Sequence, residues 1–286
     1  MLIKHILQRS LSNNLKNWHL QFKAWLLSRK SVEGERKVLP PSDYELVFED
    51  NFDKPKLSDE WIISQPWGEF HPDNLYQYWP KDDDCVYVSP DGLVLELRNY
   101  SKTFIKSELP PWQQKPELPE EFTIDWAAGL IYLKTPYKFG WFEANVQLPE
   151  DTSQWAAFWL CGNESWPPEI DVFESYTKDN PDDIKIRPNI HWGSNENNTK
   201  KNYGAPRIHI KDPHKRYVQY AVHWTENFIK FYYDGQLVQV CENKQMLLDN
   251  AFLQNVIFNN GIKKIDGITS RQSAMLIKNF KIYQKK

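Results

Sequence analysis

The chain has 286 residues, of which 41% are hydrophobic and 15% aromatic, and its formal net charge is −3 at pH 7. This composition allows one large domain with its own core, and the lack of a basic stripe with interleaved aromatic residues argues against a nucleic-acid partner. The cysteines at positions 85, 161 and 241 form no CxxC pair, so they predict no metal site, and their odd number fits a reducing compartment.

Residues 1–30 carry apolar side chains at steps of three and four, a spacing that predicts an amphipathic helix. The polar positions around this stripe include lysines and arginines and no acid before Glu33. No continuous apolar segment resembles a secretory signal or a membrane span, which favours a cytoplasmic or membrane-surface location over secretion. The apolar stripe consists of Ile3, Leu7, Leu11, Leu15, Trp18, Phe22, Trp25 and Leu26.

Two interpretations of this basic helix stay open. It can bind an anionic membrane surface or a protein partner, or it can pack on the rest of the protein. An organellar presequence is a third, less favoured interpretation. Residues 31–41 end in Leu-Pro-Pro and are predicted to be a linker, so the sequence divides into a helix and linker, 1–41, and a main domain, 42–286.

From Tyr44 onward, short apolar runs alternate with turn residues, which is the pattern of an all-β protein. An aromatic, polar loop around Trp67 is of the kind that carries binding groups. Residues 107–121 are rich in proline and glutamate and are predicted to be an exposed insertion without regular structure. Predicted strands include residues 45–48, 86–88, 93–97, 129–134, 140–148, 217–224, 229–233, 237–240 and 274–283.

Between these strands, Trp155, Ala157 and Trp159 alternate with other residues and so share one face of a predicted strand. If that face lines a groove, the alanine leaves room for a sugar between the two indole rings. If it faces the core, the indole rings are packing groups.

Three carboxylates follow a pair of prolines in the run Pro-Pro-Glu-Ile-Asp-Val-Phe-Glu, residues 167–174. The prolines exclude a helix and the Ile, Val and Phe favour a strand, which places Glu169 and Asp171 on one face. Glu174 is out of phase, but a β-bulge at Val172 and Phe173 would return it to that face. Because like charges repel, three acids in one groove indicate a functional site rather than a solvated strand.

The segment 178–216 is long and carries an excess of basic residues. A solvated loop is favoured over a cleft wall for an anionic polysaccharide, because charge runs are usually solvated. Within it, residues 189–192 are predicted to form a strand next to the acidic one. His191 there is a candidate to bind sugar hydroxyls or an acid, although a single histidine is more often structural.

The motif Glu-Ile-Asp-Val-Phe-Glu resembles the ExDxxE signature of family 16 glycoside hydrolases, in the bulged form of laminarinase-like, agarase-like and carrageenase-like members. Further segments resemble the family in the same order between about Tyr44 and Tyr283. The resemblance implies a β-jelly-roll sandwich of two antiparallel sheets with a concave substrate cleft. The similar segments begin at positions 128, 139, 155, 220 and 231, with sequences AGLI, FGWFEA, WAAFWL, YAVHWT and FYYDG.

The resemblance also implies roles for single residues. Glu169 is expected to be the nucleophile, Glu174 the general acid and then base, and Asp171 the residue that orients Glu169 and whose charge helps to keep Glu174 protonated. It favours the groove interpretation of the paired indoles. The expected substrate-binding residues are Trp67, Trp155, Trp159, Trp166 and His191.

These expectations describe a retaining, endo-acting hydrolase of a β-linked glucan or galactan that works by double displacement through a glycosyl-enzyme. A transglycosylase of the same family and a non-catalytic glycan-binding jelly roll are the alternatives. Many relatives hold a structural calcium through an aspartate of the last strand. The matching residue here is Lys278, whose ammonium cannot ligate a cation, so neither a metal nor another cofactor is expected.

Overall fold

A computed structural model describes residues 32, 37–151, 154–176, 185–194, 199–204, 207–262 and 272–286. The predicted amphipathic helix, residues 1–30, lies outside these described residues. None of the helices in the described part of the chain is long and apolar enough to cross a membrane.

The described residues form sixteen strands, one short α-helix, α1 (Lys244–Asp249), and two 3₁₀ turns, Lys106–Glu108 and Pro111–Gln113. The strands are β1 Tyr44–Asp50, β2 Trp61–Ile63, β3 Val86–Ser89, β4 Gly92–Ile105, β5 Glu121–Ala128, β6 Leu130–Leu133, β7 Gly140–Gln147, β8 Ala156–Gly162, β9 Glu169–Tyr176, β10 Lys185–Trp192, β11 Lys201–Asn202, β12 Val218–Trp224, β13 Ile229–Tyr233, β14 Gln236–Cys241, β15 Gln254–Asn259 and β16 Gln272–Lys285.

Among the described residues these strands form two antiparallel sheets. The nine-stranded sheet has the order β14-β13-β12-β7-β16-β4-β3, with β1 paired to β16 and β5 paired to β4. The seven-stranded sheet has the order β11-β10-β9-β8-β15-β6-β2, so the acidic strand β9 lies between β8 and β10. This is the all-β jelly-roll sandwich that the sequence predicts.

The core lies between the two sheets and is rich in aromatic side chains. Phe158 of β8 stacks on Phe258 of β15 with ring centroids 4.5 Å apart. Both rings contact Phe280 of β16 in the other sheet, at 5.7 and 5.4 Å. All three side chains are fully buried, and each such burial stabilises the fold by roughly 1.5–3 kcal/mol.

Four strands and the helix are absent from the sequence prediction. Strand β2 has three residues, β11 has two and α1 has six, which is too short for a periodic pattern to stand out. Strand β15 presents only a short apolar run between Gln254 and Asn259. Strand β5 does alternate in its first half, where Phe122 and Ile124 are more buried than their neighbours, but its start overlaps the proline-rich segment.

The insertion at residues 107–121 differs from its prediction, because it contains 3₁₀ turns and docks on the sandwich. Gln113 is 1% exposed and Leu118 is 7% exposed. The Gln113 side chain donates a hydrogen bond to the Phe70 carbonyl oxygen. Proline excludes a helix or a strand in such a segment, but it does not prevent single side chains from reaching the core.

The described part of the predicted linker also contacts the sandwich. Val32 is 1% exposed, and its backbone pairs with the strand-like segment around Ile210. The Gln219 side chain accepts from the Val38 amide at 3.0 Å and donates to the Val38 carbonyl at 3.2 Å. The boundary between residues 41 and 42 stays a prediction, but Val32 and Val38 are parts of the folded unit.

Candidate active site

A β-bulge brings the three acids of β9 to one face. Against β8, Phe173 pairs with Phe158 and Asp171 pairs with Trp159, which leaves Val172 without an opposite residue. Both bulge residues, Val172 and Phe173, are completely buried. The extra residue shifts the alternation by one position, so the predicted bulge is confirmed.

Strand β10 shows the same shift and places polar side chains opposite the acids. Directly opposed residues of antiparallel strands have their side chains on the same face of the sheet. The opposed pairs are Glu169 with His191, Asp171 with Asn189 and Glu174 with Arg187. Sequence reasoning missed Asn189 and Arg187, although alternation from His191 places both on its face.

The alternation of β8 shows that the indole ring of Trp159 lies on the face of the acids rather than in the main core. Phe158 and Leu160 belong to the main core between the sheets. Trp159 and Cys161 pack in a second apolar cluster on the other face. The half-buried indole rings of Trp67, Trp155, Trp159 and Trp166 all pack against this second cluster.

Each glutamate accepts a hydrogen bond from an indole nitrogen. Trp166 Nε1 donates to Glu169 Oε2 at 2.9 Å, and Trp155 Nε1 donates to Glu174 Oε1 at 3.1 Å. Both glutamates are half-buried, whereas Asp171 between them is only 3% exposed. The two indole groups therefore fix the orientation of two carboxyl groups that remain accessible to a substrate.

His191 connects two of the acids. Its Nε2 lies 3.2 Å from Glu169 Oε1 and 3.6 Å from Asp171 Oδ2. The same nitrogen lies 2.9 Å from Asn189 Nδ2, and the imidazole ring lies 5.6 Å from the Trp166 ring. The structure thus brings together the three predicted acids and the five predicted substrate-binding residues. These five residues contact an acid directly or pack in the aromatic cluster beside the acids.

Asn259 of β15 is a further site residue that the sequence did not reveal. Its Oδ1 accepts from Trp159 Nε1 at 2.8 Å, and its Nδ2 donates to the Trp155 carbonyl oxygen at 3.4 Å. Asn259 thereby holds both tryptophans of the predicted pair. No local signal identifies it, because its contacts depend on the pairing of β15 with β8.

Two lysines from the basic segment lie over tryptophan rings, one of which, Trp166, bonds to an acid. Lys200 Nζ is 5.5 Å from the centre of the Trp166 ring, and Lys201 Nζ is 4.8 Å from that of Trp192. Such cation–π contacts are worth about 0.5–1 kcal/mol at exposed sites. Lys200 therefore lies at the rim of the site. Lys201 does not, because Trp192 packs against the main core on the face of β10 opposite to His191.

The nearby thiol of Cys161 is unsuited to nucleophilic chemistry. Burial raises the pKa of Cys161 well above its usual value, and the negative charges of Glu169 and Asp171 raise this pKa further. Because the thiolate is the reactive form of cysteine, Cys161 stays protonated and inert. The reactive groups of the site are therefore its carboxyl groups.

Glu169, Asp171 and His191 also present potential metal ligands, with one ligand atom each and all three atoms within 4.8 Å of one another. Two carboxylates and an imidazole can in general bind a divalent cation. Two of these groups are acids of the ExDxxE motif, however, and a cation would occupy their oxygens. A cation bound there would therefore compete with a substrate for the same carboxylates.

Cleavage of a glycosidic bond requires a pair of carboxyl groups, one to protonate the leaving oxygen and one to act at the anomeric carbon. A β-sandwich that presents such a pair beside indole rings defines a glycoside hydrolase. Residues 76–260, more than half of the chain, match the family described as Glycosyl hydrolases family 16. The chain therefore belongs to family 16 of the glycosyl hydrolases.

Among curated proteins, the chain is similar to two enzymes of Rhizobium meliloti (strain 1021). It is 29% identical over 132 residues to Endo-1,3-1,4-beta-glycanase EglC, a match that covers 45% of this chain and 27% of that protein. It is 28% identical over 134 residues to Endo-1,3-1,4-beta-glycanase ExsH, with the same coverage of 45% and 27%. The match thus spans about a quarter of the length of each relative.

Solved structures share the fold over most of the chain. SCLam, a non-specific endo-beta-1,3(4)-glucanase from family GH16, has a TM-score of 0.66 at 21% identity and covers 87% of this chain and 94% of its own. The laminarinase catalytic domain from Thermotoga maritima MSB8 has a TM-score of 0.65 at 19% identity, with 86% and 100% coverage. At this identity the likeness supports the fold.

Proposed function

We propose that the chain is a retaining, endo-acting hydrolase of β-linked glucans that contain 1,3-linkages. The observation that carries this proposal is the bulged strand β9, which presents Glu169, Asp171 and Glu174 on one face beside indole rings. Family membership supports the reaction class. The names of the similar proteins, endo-1,3-1,4-beta-glycanases and a laminarinase, favour a glucan over a galactan.

In the first step, a carboxylate oxygen of Glu169 bonds to the anomeric carbon while the bond to the leaving oxygen breaks. Trp166 and His191 approach different oxygens of this carboxylate, so they hold it in one orientation. Positioning of this kind lowers the barrier because the reacting atoms need not search for their geometry. Asp171 contacts the same imidazole and is a positioning residue for Glu169.

Glu174 supplies the proton that leaves with the departing sugar. Its Oε1 accepts from Trp155, which directs Oε2 toward the substrate as the protonated oxygen. In the second step a water attacks the anomeric carbon, the bond to Glu169 breaks, and the water proton returns to Glu174. Two displacements at one carbon restore its starting configuration.

The sugar rings on either side of the scissile bond are expected to stack on indole rings, because the flat apolar face of a pyranose matches an aromatic face. Trp166 is beside Glu169 and Trp155 is beside Glu174. These two rings are therefore placed with the two reacting carboxyl groups. The intact set of acids argues against the non-catalytic alternative.

A panel of purified polysaccharides tests this proposal. β-1,3-glucan, mixed β-1,3-1,4-glucan, β-1,4-glucan and β-galactan would be incubated with the protein, and reducing ends and product sizes would be measured. We expect short oligosaccharides from the two glucans with 1,3-linkages and none after Glu169→Gln. Release of monosaccharide alone, or activity on none of the four polymers, would contradict the proposal.

A further inference from the structure

The docked insertion presents an exposed tryptophan next to the site. Trp112 is 42% exposed and lies in the 3₁₀ turn Pro111–Gln113. Its Nε1 donates to the Trp67 carbonyl oxygen at 3.1 Å. The Trp67 ring in turn lies 6.1 Å from the ring of Trp159, and both rings pack in the aromatic cluster beside the acids. Trp112 is thus bonded to the backbone of a residue whose own ring belongs to that cluster.

The position of Trp112 is fixed by the loop beneath it. The neighbouring Gln113 is buried and donates to the Phe70 carbonyl oxygen. Gly68 has a φ of +137°, and a Cβ at Gly68 would lie 2.9 Å from Gln113 Nε2. This backbone conformation favours glycine, which also has no Cβ to displace the Gln113 amide. The turn is therefore held against the loop at Trp67, Gly68 and Phe70, and its indole ring is pre-organised.

A hydrogen-bond donor lies beside the exposed indole. The ring of His71 lies 6.2 Å from the ring of Trp112, and the His71 side chain is half exposed. The Asp73 amide donates to His71 Nδ1 at 3.2 Å, which leaves the ring proton on Nε2. Burial lowers the pKa of His71 below its usual value, so the ring is neutral near pH 7.

An apolar ring with an adjacent polar donor matches a pyranose, which has apolar C–H faces and equatorial hydroxyl groups. A single exposed aromatic residue needs no explanation by itself. Trp112 differs because its N–H is already bonded to the carbonyl oxygen of Trp67, a residue of the site cluster, and because the neighbouring Gln113 anchors its turn. Because the indole ring is already held in place, stacking of a ligand on it costs the protein little side-chain entropy.

We propose that Trp112 and His71 form a distal binding site for one sugar ring of the β-glycan chain, beyond the part of the cleft that holds the scissile bond. Trp112 stacks on the ring and His71 Nε2 donates to a hydroxyl group. The inference rests on the proposed function, since the ligand is the same glycan. This distal site would make the enzyme prefer long glycan chains, because short oligosaccharides cannot reach both the acids and Trp112.

Binding measurements in a Glu169→Gln background test the site without turnover. Dissociation constants would be measured for a β-1,3-glucan polymer and for its trisaccharide. We expect Trp112→Ala to weaken polymer binding by about five- to tenfold, the usual cost of losing one aromatic anchor, and to weaken trisaccharide binding less than twofold. His71→Ala should act in the same direction with a smaller effect.

The matched control is Tyr87→Ala, because Tyr87 is 43% exposed and lies on the edge strand β3 of the other sheet. It should leave both constants unchanged. Melting temperatures equal to that of the background protein show that the variants are folded, and Trp112→Phe, which keeps a ring, should retain part of the polymer affinity. Equal losses for polymer and trisaccharide, no loss for the polymer, or no glycan binding by the background protein would overturn the site.

Hydrolysis by the unsubstituted protein separates this inference from the proposed function. If that protein cleaves the glucan but Trp112→Ala binds the polymer normally, the distal site is wrong and the proposed function stands. If it cleaves none of the glycans while Trp112→Ala still loses polymer affinity selectively, the site stands as a glycan-binding site and the proposed reaction is wrong.

Discussion

Trp155 Nε1 donates a hydrogen bond to Glu174 Oε1 at 3.1 Å. This bond joins the residue just before β8 to the last acid of β9. It occupies one oxygen of the carboxyl group and leaves the other for the glycosidic oxygen. The orientation of the proposed proton donor thus depends on an indole that is also a proposed substrate-binding group.

Trp155→Phe keeps an aromatic ring but removes this N–H donor. We expect about tenfold slower hydrolysis of the natural glucan, the upper end of what one hydrogen bond between neutral groups contributes. With an activated aryl leaving group, which needs no protonation, formation of the glycosyl-enzyme should be almost unaffected. Burst kinetics with the two substrate types measure this difference.

Trp159→Phe is the control for this comparison, because Trp159 Nε1 bonds to Asn259 rather than to an acid. The Trp159→Phe variant should lose a similar factor in rate with the natural glucan and with the activated aryl substrate. If Trp155→Phe also slows both substrates equally, the indole serves substrate binding and does not orient Glu174.

Much of the site could be predicted because it depends on the order of residues along single strands. Glu174 lies at the wrong position in the alternation to share a face with Glu169 and Asp171, and this mismatch predicts the bulge. Alternation from Trp155 to Trp159 predicts that these two residues share a face. The contacts of Asn259 could not be predicted, since they require that β15 pair with β8. The docking of Gln113 on Phe70 likewise depends on two segments that are distant in sequence, and composition alone described that insertion as exposed.

Because Val32 of the predicted linker is buried, we expect it to contribute to the free energy of unfolding. Val32→Ala removes two buried methyl groups and should lower the free energy of unfolding by about 1.5–2.5 kcal/mol. Val47→Ala, at a residue that is 41% exposed, should change it by less than about 0.5 kcal/mol. Urea titrations measure both values, and equal effects would show that Val32 is not part of the core.

His223 predicts a pH dependence of stability. Its Nε2 lies 2.9 Å from the Tyr44 hydroxyl, and burial followed by the charge of Lys230 lowers its pKa from 6.5 to about 4. Between pH 6.5 and about 4, His223 is protonated in the unfolded chain but neutral in the folded chain. The free energy of unfolding therefore falls as the pH drops from 6.5 toward 4.

Replacing His223 by Gln should reduce the slope of unfolding free energy against pH in this window and leave the slope above pH 7 unchanged. Comparison with the parent protein cancels the other titrating groups. The parallel loss of stability in both proteins between pH 6.5 and 4.5 would show that His223 does not titrate as described.

Lys278 predicts that a chelator leaves thermal stability unchanged. Its ammonium group lies near the Pro90 carbonyl oxygen at 3.4 Å, where the family resemblance leads one to expect a calcium-binding carboxylate. A cation bound only by the folded state would raise the melting temperature. A fall in melting temperature with EDTA that calcium reverses would contradict this prediction.

The central claim, that Glu169 is the nucleophile and Glu174 the acid and base, is tested most directly by azide rescue with an activated aryl β-glycoside. In Glu174→Ala the glycosyl-enzyme still forms on Glu169, and azide attacks it without a base, so the glycosyl azide should have the β configuration of the substrate. In Glu169→Ala azide enters the vacated space and should give the α-glycosyl azide. Nuclear magnetic resonance of the two products reads the configuration. The opposite pairing of variant and anomer would show that the two roles are exchanged, and full activity of both variants without azide would show that these carboxyl groups are not the catalytic pair.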